Sequence, residues 1–459
     1  MDFIIYSAGL LIGLFLIFVT IEHPYTSASI LVFFYIYQLN MPLPGPLDAR
    51  GFLTAILFAR LFLFDKQNYL IVKKYLLQDL NSILLGIFIL LSFWTTYSYY
   101  GGLLNLVKGS VLLIVSLILG FIIIINREGK KVFFNAIVLS GLLCTIDIIY
   151  STIRYGSLHT RSLFKTIFLN NTMAWNHNAI GFICAIALIL VYIYFIRKQI
   201  SRKIALLLMF ILSLGFVLST SRSAIIAVVF VLPIILLVQK EIQFNINKIL
   251  ISSFGFILFF VSFYFVYHTL LTSGEFKSSF IDKTYYRLYE EPKSLFGGNE
   301  TQVFDKWGNK IEGNTRWRIN RAINDIATYS RSDLETKLFG LGIGGYGINR
   351  FGGDYLNAHN GYVLILVERG MIGLLIIFLV ITNLSIRSFK LLRKKLINTP
   401  IVYVILTIAF YTIGQNSDLT TNLAFLLYGA LIGNTKEHLI FETELEEKPT
   451  SANLTLNRV

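Results

Sequence analysis

The chain has 459 residues, of which 55% are hydrophobic and 14% are charged, and its formal net charge is +14. A soluble domain carries about 25% charged residues, so this composition excludes a protein with a normal water-facing surface. The positive charge does not by itself indicate nucleic acid, because basic loops orient membrane proteins and meet anionic lipid headgroups.

Hydrophobic runs recur from residue 3 to residue 434, and a membrane-spanning helix needs about 20 such residues. The first run has no basic segment before it and no small-residue cleavage site after it, so we interpret it as a retained helix. The sequence therefore predicts an all-α integral membrane protein with about 12 or 13 transmembrane helices. The predicted spans are 3–21, 27–41, 51–64, 80–98, 102–126, 132–150, 178–196, 203–219, 222–239, 248–271, 360–386, 401–417 and 420–435.

Five short basic segments fall on one side of this span list, and that side is predicted to be cytoplasmic. They lie at 66–74, 127–131, 197–203, 240–248 and 387–395. The resulting divisions are N-terminal transmembrane helices (1–150), central helices with an outer loop at 151–177 (151–271), a long and partly helical extracytoplasmic loop (272–358), C-terminal helices (359–435) and a cytoplasmic tail (436–459).

The first candidate for chemistry is Arg222, in the hairpin Ser219-Thr220-Ser221-Arg222-Ser223. It lies between two apolar helices on the predicted outer side, and a charge at such a depth is a functional-site hypothesis. The alternative is an arginine that extends to a lipid phosphate.

The second candidate is the segment Gly313-Asn314-Thr315-Arg316-Trp317-Arg318, which precedes a predicted helix. Asn314 or Thr315 would cap that helix, and its free N–H groups would lie beside Arg316, Arg318 and Arg321 as an anion site. Ile319, Ala322, Ile323 and Ile326 are predicted to share one face of the helix. The alternative is an amphipathic interfacial helix whose arginines face water or headgroups.

The third candidate is Asn357-Ala358-His359-Asn360-Gly361, at the predicted outer mouth of a membrane helix. An imidazole suits proton transfer near neutral pH, and Asn357 and Asn360 could orient it or bind sugar hydroxyls. A structural histidine is the alternative. The loop 151–177 and Asn178 after it could line a sugar or diphosphate site, or form an ordinary interface.

Two further patterns carry no function here. The run Gly342-x-Gly344-x-x-Gly347 matches a dinucleotide fingerprint, but no βαβ unit surrounds it. Cys144 and Cys184 lie in apolar segments, and the sequence offers no spacing typical of a metal site. We therefore expect neither a metal nor another cofactor.

The ordered set of motifs resembles the O-antigen ligase and O-antigen polymerase superfamily. It comprises the Asn-His-Asn entrance before Ile180-Gly181, the Ser-Arg-Ser hairpin, a long outer loop with an arginine-led helix, and a Leu-Gly-x-Gly run that leads to His-Asn-Gly-Tyr. The resemblance is strongest over residues 170–390. One departure is Asn320, which stands where family members often have an aromatic residue.

The resemblance implies an inverting, metal-independent membrane glycosyltransferase with a C-type fold, in the inner membrane of a bacterium. Its donor would be a glycan on undecaprenyl diphosphate, and its acceptor lipid A–core or a lipid-linked glycan. Arg222 and Arg316 would bind the diphosphate and His359 would act on the acceptor. The motifs favour a ligase slightly over a polymerase. A polytopic transporter and a structural membrane scaffold are rival hypotheses from different classes of protein.

Overall fold

The computed structural model describes residues 13–37, 49–95, 102–126, 128–155, 177–219, 221–238, 315–342, 360–394, 400–414 and 419–447. These residues are helical throughout, joined by short turns. The helices are α1 (Gly13–Glu22), α2 (Pro24–Tyr37), α3 (Ala49–Phe58, continued by a π-helical turn Ala59–Leu63), α4 (Lys66–Ile71, continued by a π-helical turn Val72–Leu76), α5 (Leu80–Thr95), α6 (Gly102–Ile125), α7 (Gly129–Tyr155), α8 (His177–Ile196), α9 (Arg202–Leu218), α10 (Arg222–Val238), α11 (Thr315–Ser330), α12 (Leu334–Phe339), α13 (Gly361–Arg393), α14 (Ile401–Tyr411, continued by a 3-10 turn Thr412–Gly414) and α15 (Asn422–Glu447).

The predicted all-α membrane architecture is confirmed by the length and composition of these helices. Four described helices, α6, α7, α8 and α13, are long and apolar enough to cross a membrane. A fifth candidate is the pair Lys66–Leu76 and Leu80–Leu91, which bends by 88° at the turn between them. α1, α2, α10 and α14 contain shorter apolar helices. The predicted span at 248–271 lies outside the described residues.

A polar cluster joins three helices at one end of the bundle. Asp79 is buried just before α5, and its carboxylate pairs with Arg387 of α13 at 2.9 Å and with Lys436 of α15 at 3.2 Å. Next to it along α15, Glu437 pairs with Lys130 at the start of α7. Two of the predicted basic segments therefore lie at the same end of the molecule, where carboxylates neutralise part of their charge.

α13 is not the single continuous span that the sequence predicted. At Gly370 the backbone has φ 66° and ψ −173°, a conformation outside the helical region, so α13 consists of two helices joined at a sharp break. Tyr362 and Phe378 lie eight residues on either side of Gly370, and their rings stack with centroids 5.2 Å apart. A continuous helix would separate their α-carbons by about 24 Å. The segment 361–369 therefore folds back beside the segment 371–393.

Candidate active site

The Ser219–Ser223 hairpin is a compact turn whose buried hydroxyls bond to nearby backbone. Ser219 Oγ donates to Phe216 O at 2.6 Å and accepts from Ser221 N at 3.3 Å. Ser221 Oγ accepts from Ala224 N at 3.4 Å, as a helix N-cap does. These bonds fix the point at which α10 begins, and Arg222 is its first residue. The structure describes the backbone of Arg222; its side chain lies outside the described residues.

Asn178, which was predicted to bind substrate, supports this turn from the start of α8. It is buried, and its Oδ1 accepts from Ser221 Oγ at 3.2 Å. Three residues further, Gly181 lies so close to the turn that a Cβ there would overlap Ser219 Oγ and Ser221 Cβ. The described contacts of Asn178 therefore orient the turn that carries Arg222.

The C-terminal end of α14 meets the same turn. Gly414 packs directly against Ser223, and Tyr411 stacks on Phe182 of α8 with ring centroids 4.1 Å apart. Phe410 stacks on Phe230 of α10 at 5.0 Å. α8 and α14 therefore both contact the hairpin from which α10 begins, in an arrangement that the sequence did not predict because it depends on pairs distant along the chain.

The helix that follows His359 also reaches α14. Asn360 caps it, since Asn360 Oδ1 accepts from Tyr362 N at 3.0 Å and from Val363 N at 3.2 Å. The hydroxyl of Tyr362 donates to Ala409 O at 2.8 Å. Ala409 and Gly414 are separated by about 8–9 Å along the helix axis. The turn of Arg222 and the helix start after His359 thus contact the same stretch of α14.

The arginine-led helix α11 packs against the first segment of α13, residues 361–369. Tyr329 of α11 forms a small apolar cluster with Val363 and Val367 of α13, and Ala322 and Leu341 pack against it. α11 begins at Thr315, one of the two residues that were predicted to cap it. The side chains of Arg316, Arg318 and Arg321 lie outside the described residues, as do Asn357 and His359 entirely. The structure thus places the backbone of each arginine but not its charged group.

The helix is continuous over Thr315–Ser330, so the apolar residues share one broad face as predicted, but only one edge of that face is covered by protein. Ala322 is turned towards α13, whereas Ile323 and Ile326 are exposed, with 57% and 45% of their surface accessible. The two positions i and i+1 lie about 100° apart on a helix, so the apolar residues divide between a protein-facing and an outward-facing side. The periodicity of the sequence shows which apolar residues lie on the same side of α11, but it does not show which of them α13 covers.

The break in α13 is held by the short segment after α12. Leu341 N donates to Val367 O at 2.8 Å and Gly342 N donates to Glu368 O at 2.9 Å. A break in a helix leaves carbonyl groups without their usual partners, and these two bonds satisfy two of them. We call this contact, between residues 340–342 and 367–370, the latch.

Two further groups stabilise the latch from either side. Arg369 is buried; its Nη1 donates to Phe88 O at 3.0 Å, and its guanidinium lies 4.0 Å from the Phe88 ring centroid. Asp333 caps α12 by accepting from Thr336 N at 2.6 Å. Hydrogen bonds from the backbone and side chain of Thr336 hold the pKa of Asp333 below its ordinary value. The sequence signal for the latch was the pair Arg369-Gly370 inside an apolar run.

Within the described residues, no group of three or more His, Cys, Asp or Glu side chains could hold a metal ion.

A family model described as O-antigen ligase matches residues 207–378, a little over a third of the chain. The match begins within α9, ends within the second segment of α13, and includes Arg222, Arg316 and His359. No match was found among curated proteins. The predicted resemblance to the O-antigen ligase and polymerase superfamily is confirmed by the family model.

Proposed function

We propose that this protein is a membrane glycosyltransferase of cell-surface polysaccharide synthesis, because residues 207–378 match the O-antigen ligase family model. It would move a glycan from undecaprenyl diphosphate to an acceptor hydroxyl at the extracytoplasmic face of a bacterial inner membrane. The structural observation that supports this most directly is that two of the predicted motifs contact the same helix, α14. Ser223 of the Ser-Arg-Ser hairpin packs against Gly414, and the hydroxyl of Tyr362, in the motif that contains His359, donates to Ala409 O.

In the proposed reaction an acceptor hydroxyl displaces the diphosphate from the anomeric carbon of the glycan. A bond forms between the acceptor oxygen and the anomeric carbon, the bond from that carbon to the diphosphate oxygen breaks, and the acceptor proton passes to His359. Negative charge then develops on the leaving diphosphate, and arginines in a water-poor site stabilise such charge more than they would in bulk water. Attack opposite the leaving group inverts the anomeric centre.

Arginines from two different helices would bind the diphosphate. Arg222 would reach it from the start of α10, and Arg316 from the start of α11, with Arg318 and Arg321 beside it. A guanidinium presents a planar pair of N–H donors that matches phosphate oxygens. The N–H groups of the first turn of α11 add to an anion site of this kind. No nucleotide sugar and no metal is needed in this scheme.

The acceptor separates a ligase from a polymerase, and we propose the ligase form, with lipid A–core as acceptor. In the polymerase form the acceptor is another lipid-linked repeat unit. Asn357 and Asn360 would lie beside the acceptor hydroxyl, and Asn178 would act through the turn that it supports.

The broken helix α13 is also typical of transporters, whose substrate sites are built from discontinuous helices. A transporter needs two compartments, whereas a transferase works in detergent solution. Purified protein would therefore be incubated in detergent with an undecaprenyl-diphosphate-linked glycan and an acceptor, and the glycosylated acceptor measured. Product formation supports the transferase; flux across liposomes without product would overturn it.

Variants in the same assay test the role of Arg222. We expect Arg222→Ala to abolish transfer and Arg222→Lys to restore little of it, because an ammonium group lacks the planar fork. Arg202→Ala, at an exposed arginine that also starts a helix, is the matched control and should keep normal activity. Full activity of Arg222→Lys would contradict bidentate phosphate recognition.

A further inference from the structure

α11 has three distinct faces, and only one of them packs against the rest of the described protein. Asp325 and Tyr329 lie on the inner face and are 2% and 5% exposed. Ile323 and Ile326 lie on a second face and are exposed. Asn324 and Thr328 lie on a third, which is polar and exposed. A helix that only faced water on its outer side would not need two large aliphatic residues on one half of that side.

The contacts of α11 indicate its depth relative to the helices that could cross a membrane. α11 packs on Val363 and Val367, in the segment of α13 that folds back into the bundle. The ring of Tyr362 in that segment lies beside Phe378, a full two turns into the span that begins after Gly370. The helix therefore packs against a segment at the depth of the outer part of the membrane spans, and not above them.

Exposed aliphatic side chains also occur on the helix against which α11 packs. On the second segment of α13, Met371 and Leu375 are exposed, and α13 is one of the helices long enough to cross a membrane. Two helices that contact each other, α11 and α13, thus both carry exposed aliphatic side chains. Basic residues at the start of α11, Arg316, Arg318 and Arg321, complement the phosphates of a membrane surface in charge.

We propose that α11 is an interfacial helix whose Ile323 and Ile326 face inserts between the lipids of the outer leaflet. Its Asn324 and Thr328 face points to water, and its first turn lies at the level of the headgroup phosphates. The partner of this surface is the bilayer itself. The inference does not depend on glycan transfer, since it concerns only where the loop helix lies.

The test measures the surroundings of single side chains in a membrane. Spin labels would be attached to Ile323→Cys and Ile326→Cys, with Asn324→Cys and Thr328→Cys as matched controls on the polar face. Cys144 and Cys184 would first be replaced by alanine. Each protein would be reconstituted in vesicles of phosphatidylethanolamine and phosphatidylglycerol, and power saturation recorded with oxygen, which concentrates in lipid, and with a water-soluble nickel chelate.

We expect collisions with oxygen to exceed those with nickel at both isoleucine positions, and the reverse at both polar positions. Higher nickel accessibility at positions 323 and 326 would show that the face lies in water, and would overturn the proposal. Low accessibility to both reagents would show that protein covers the face, and would also overturn it. Because the two isoleucines lie one turn apart, a label that distorts the fold at one position leaves the other as an independent reading.

Discussion

Gly340 and Gly370 face each other across the latch, and neither has room for a side chain. A Cβ on Gly340 would overlap the backbone of Glu368 and Arg369, and a Cβ on Gly370 would overlap that of Leu338 and Phe339. Both glycines also have positive φ, 80° and 66°, with ψ near 180°. That region is essentially restricted to glycine, and other residues in it cost about 1–3 kcal/mol.

Gly370→Ala and Gly340→Ala should therefore each lower the thermal unfolding temperature and make the chain near Lys337 more sensitive to trypsin. We expect destabilisation of about 1–3 kcal/mol from the backbone alone, with loss of transfer activity because the segment after His359 moves. Gly86→Ala is the matched control: no atom lies within 4 Å of its Cβ position. A melting temperature of Gly370→Ala equal to that of Gly86→Ala would contradict the latch.

The helix positions could be predicted from the sequence because apolar runs report span length directly. The predicted spans at 132–150, 178–196 and 203–219 agree closely with α7, α8 and α9. The break at Gly370 could not be predicted in this way, since the apolar residues before Glu368 and after Gly370 were taken together as one span. What fixes the break is the latch segment 340–342, which is distant in the sequence.

The candidate site shows the same limit. Arg222 stood out because a lone charge between apolar helices is unusual. The supports of its turn, Asn178 and Gly414, come from helices about 40 and 190 residues away in the chain. No local pattern indicates such contacts, because they depend on how α8, α10 and α14 pack.

The buried carboxylate of Asp79 offers a test of the polar cluster. Asp79→Asn keeps the shape of the side chain but leaves Arg387 and Lys436 close together without an anion. Breaking a fully buried pair costs about 3–5 kcal/mol. Because Arg387 and Lys436 are partly exposed, we expect a smaller loss of about 1–3 kcal/mol in the free energy of unfolding. Thermal unfolding in detergent measures it.

The exposed carboxylate Glu128, just before α7, is the control for Asp79. Glu128→Gln removes the same charge near the same end of the bundle and should change the unfolding temperature little. If both variants unfolded alike, the cluster at Asp79 would contribute nothing beyond net charge.

The topology can be tested at two exposed positions. Ser330 ends α11 and Lys394 follows α13, and we expect them on the extracytoplasmic and cytoplasmic sides respectively. An impermeant maleimide should label Ser330→Cys in intact cells and Lys394→Cys only after permeabilisation. Cys144 and Cys184 are buried, so the parent protein should remain unlabelled and serves as the control. Equal labelling of both variants in intact cells would contradict the predicted orientation.

The last prediction concerns His359, which immediately precedes the cap Asn360. Asn360 fixes the first turn of α13, and Tyr362 ties that turn to Ala409 of α14, the helix whose end packs against Ser223. A histidine side chain titrates near pH 6.5, and only its neutral form can take the proton of an acceptor hydroxyl. If His359 is the general base, single-turnover transfer by the wild type should fall as the pH decreases through that range.

His359→Ala should reduce the single-turnover rate by about 10²–10⁴-fold, the usual effect of losing a proton-transfer group, and should remove the pH dependence below neutrality. Donor binding should persist in this variant, because the arginines that hold the diphosphate are unchanged. Asn360→Ala is the informative comparison: it weakens the helix cap by about 0.5–2 kcal/mol but leaves the imidazole, so its rate should fall less and keep the wild-type pH dependence. A His359→Ala rate within a few-fold of the wild type at every pH would assign the histidine a structural role.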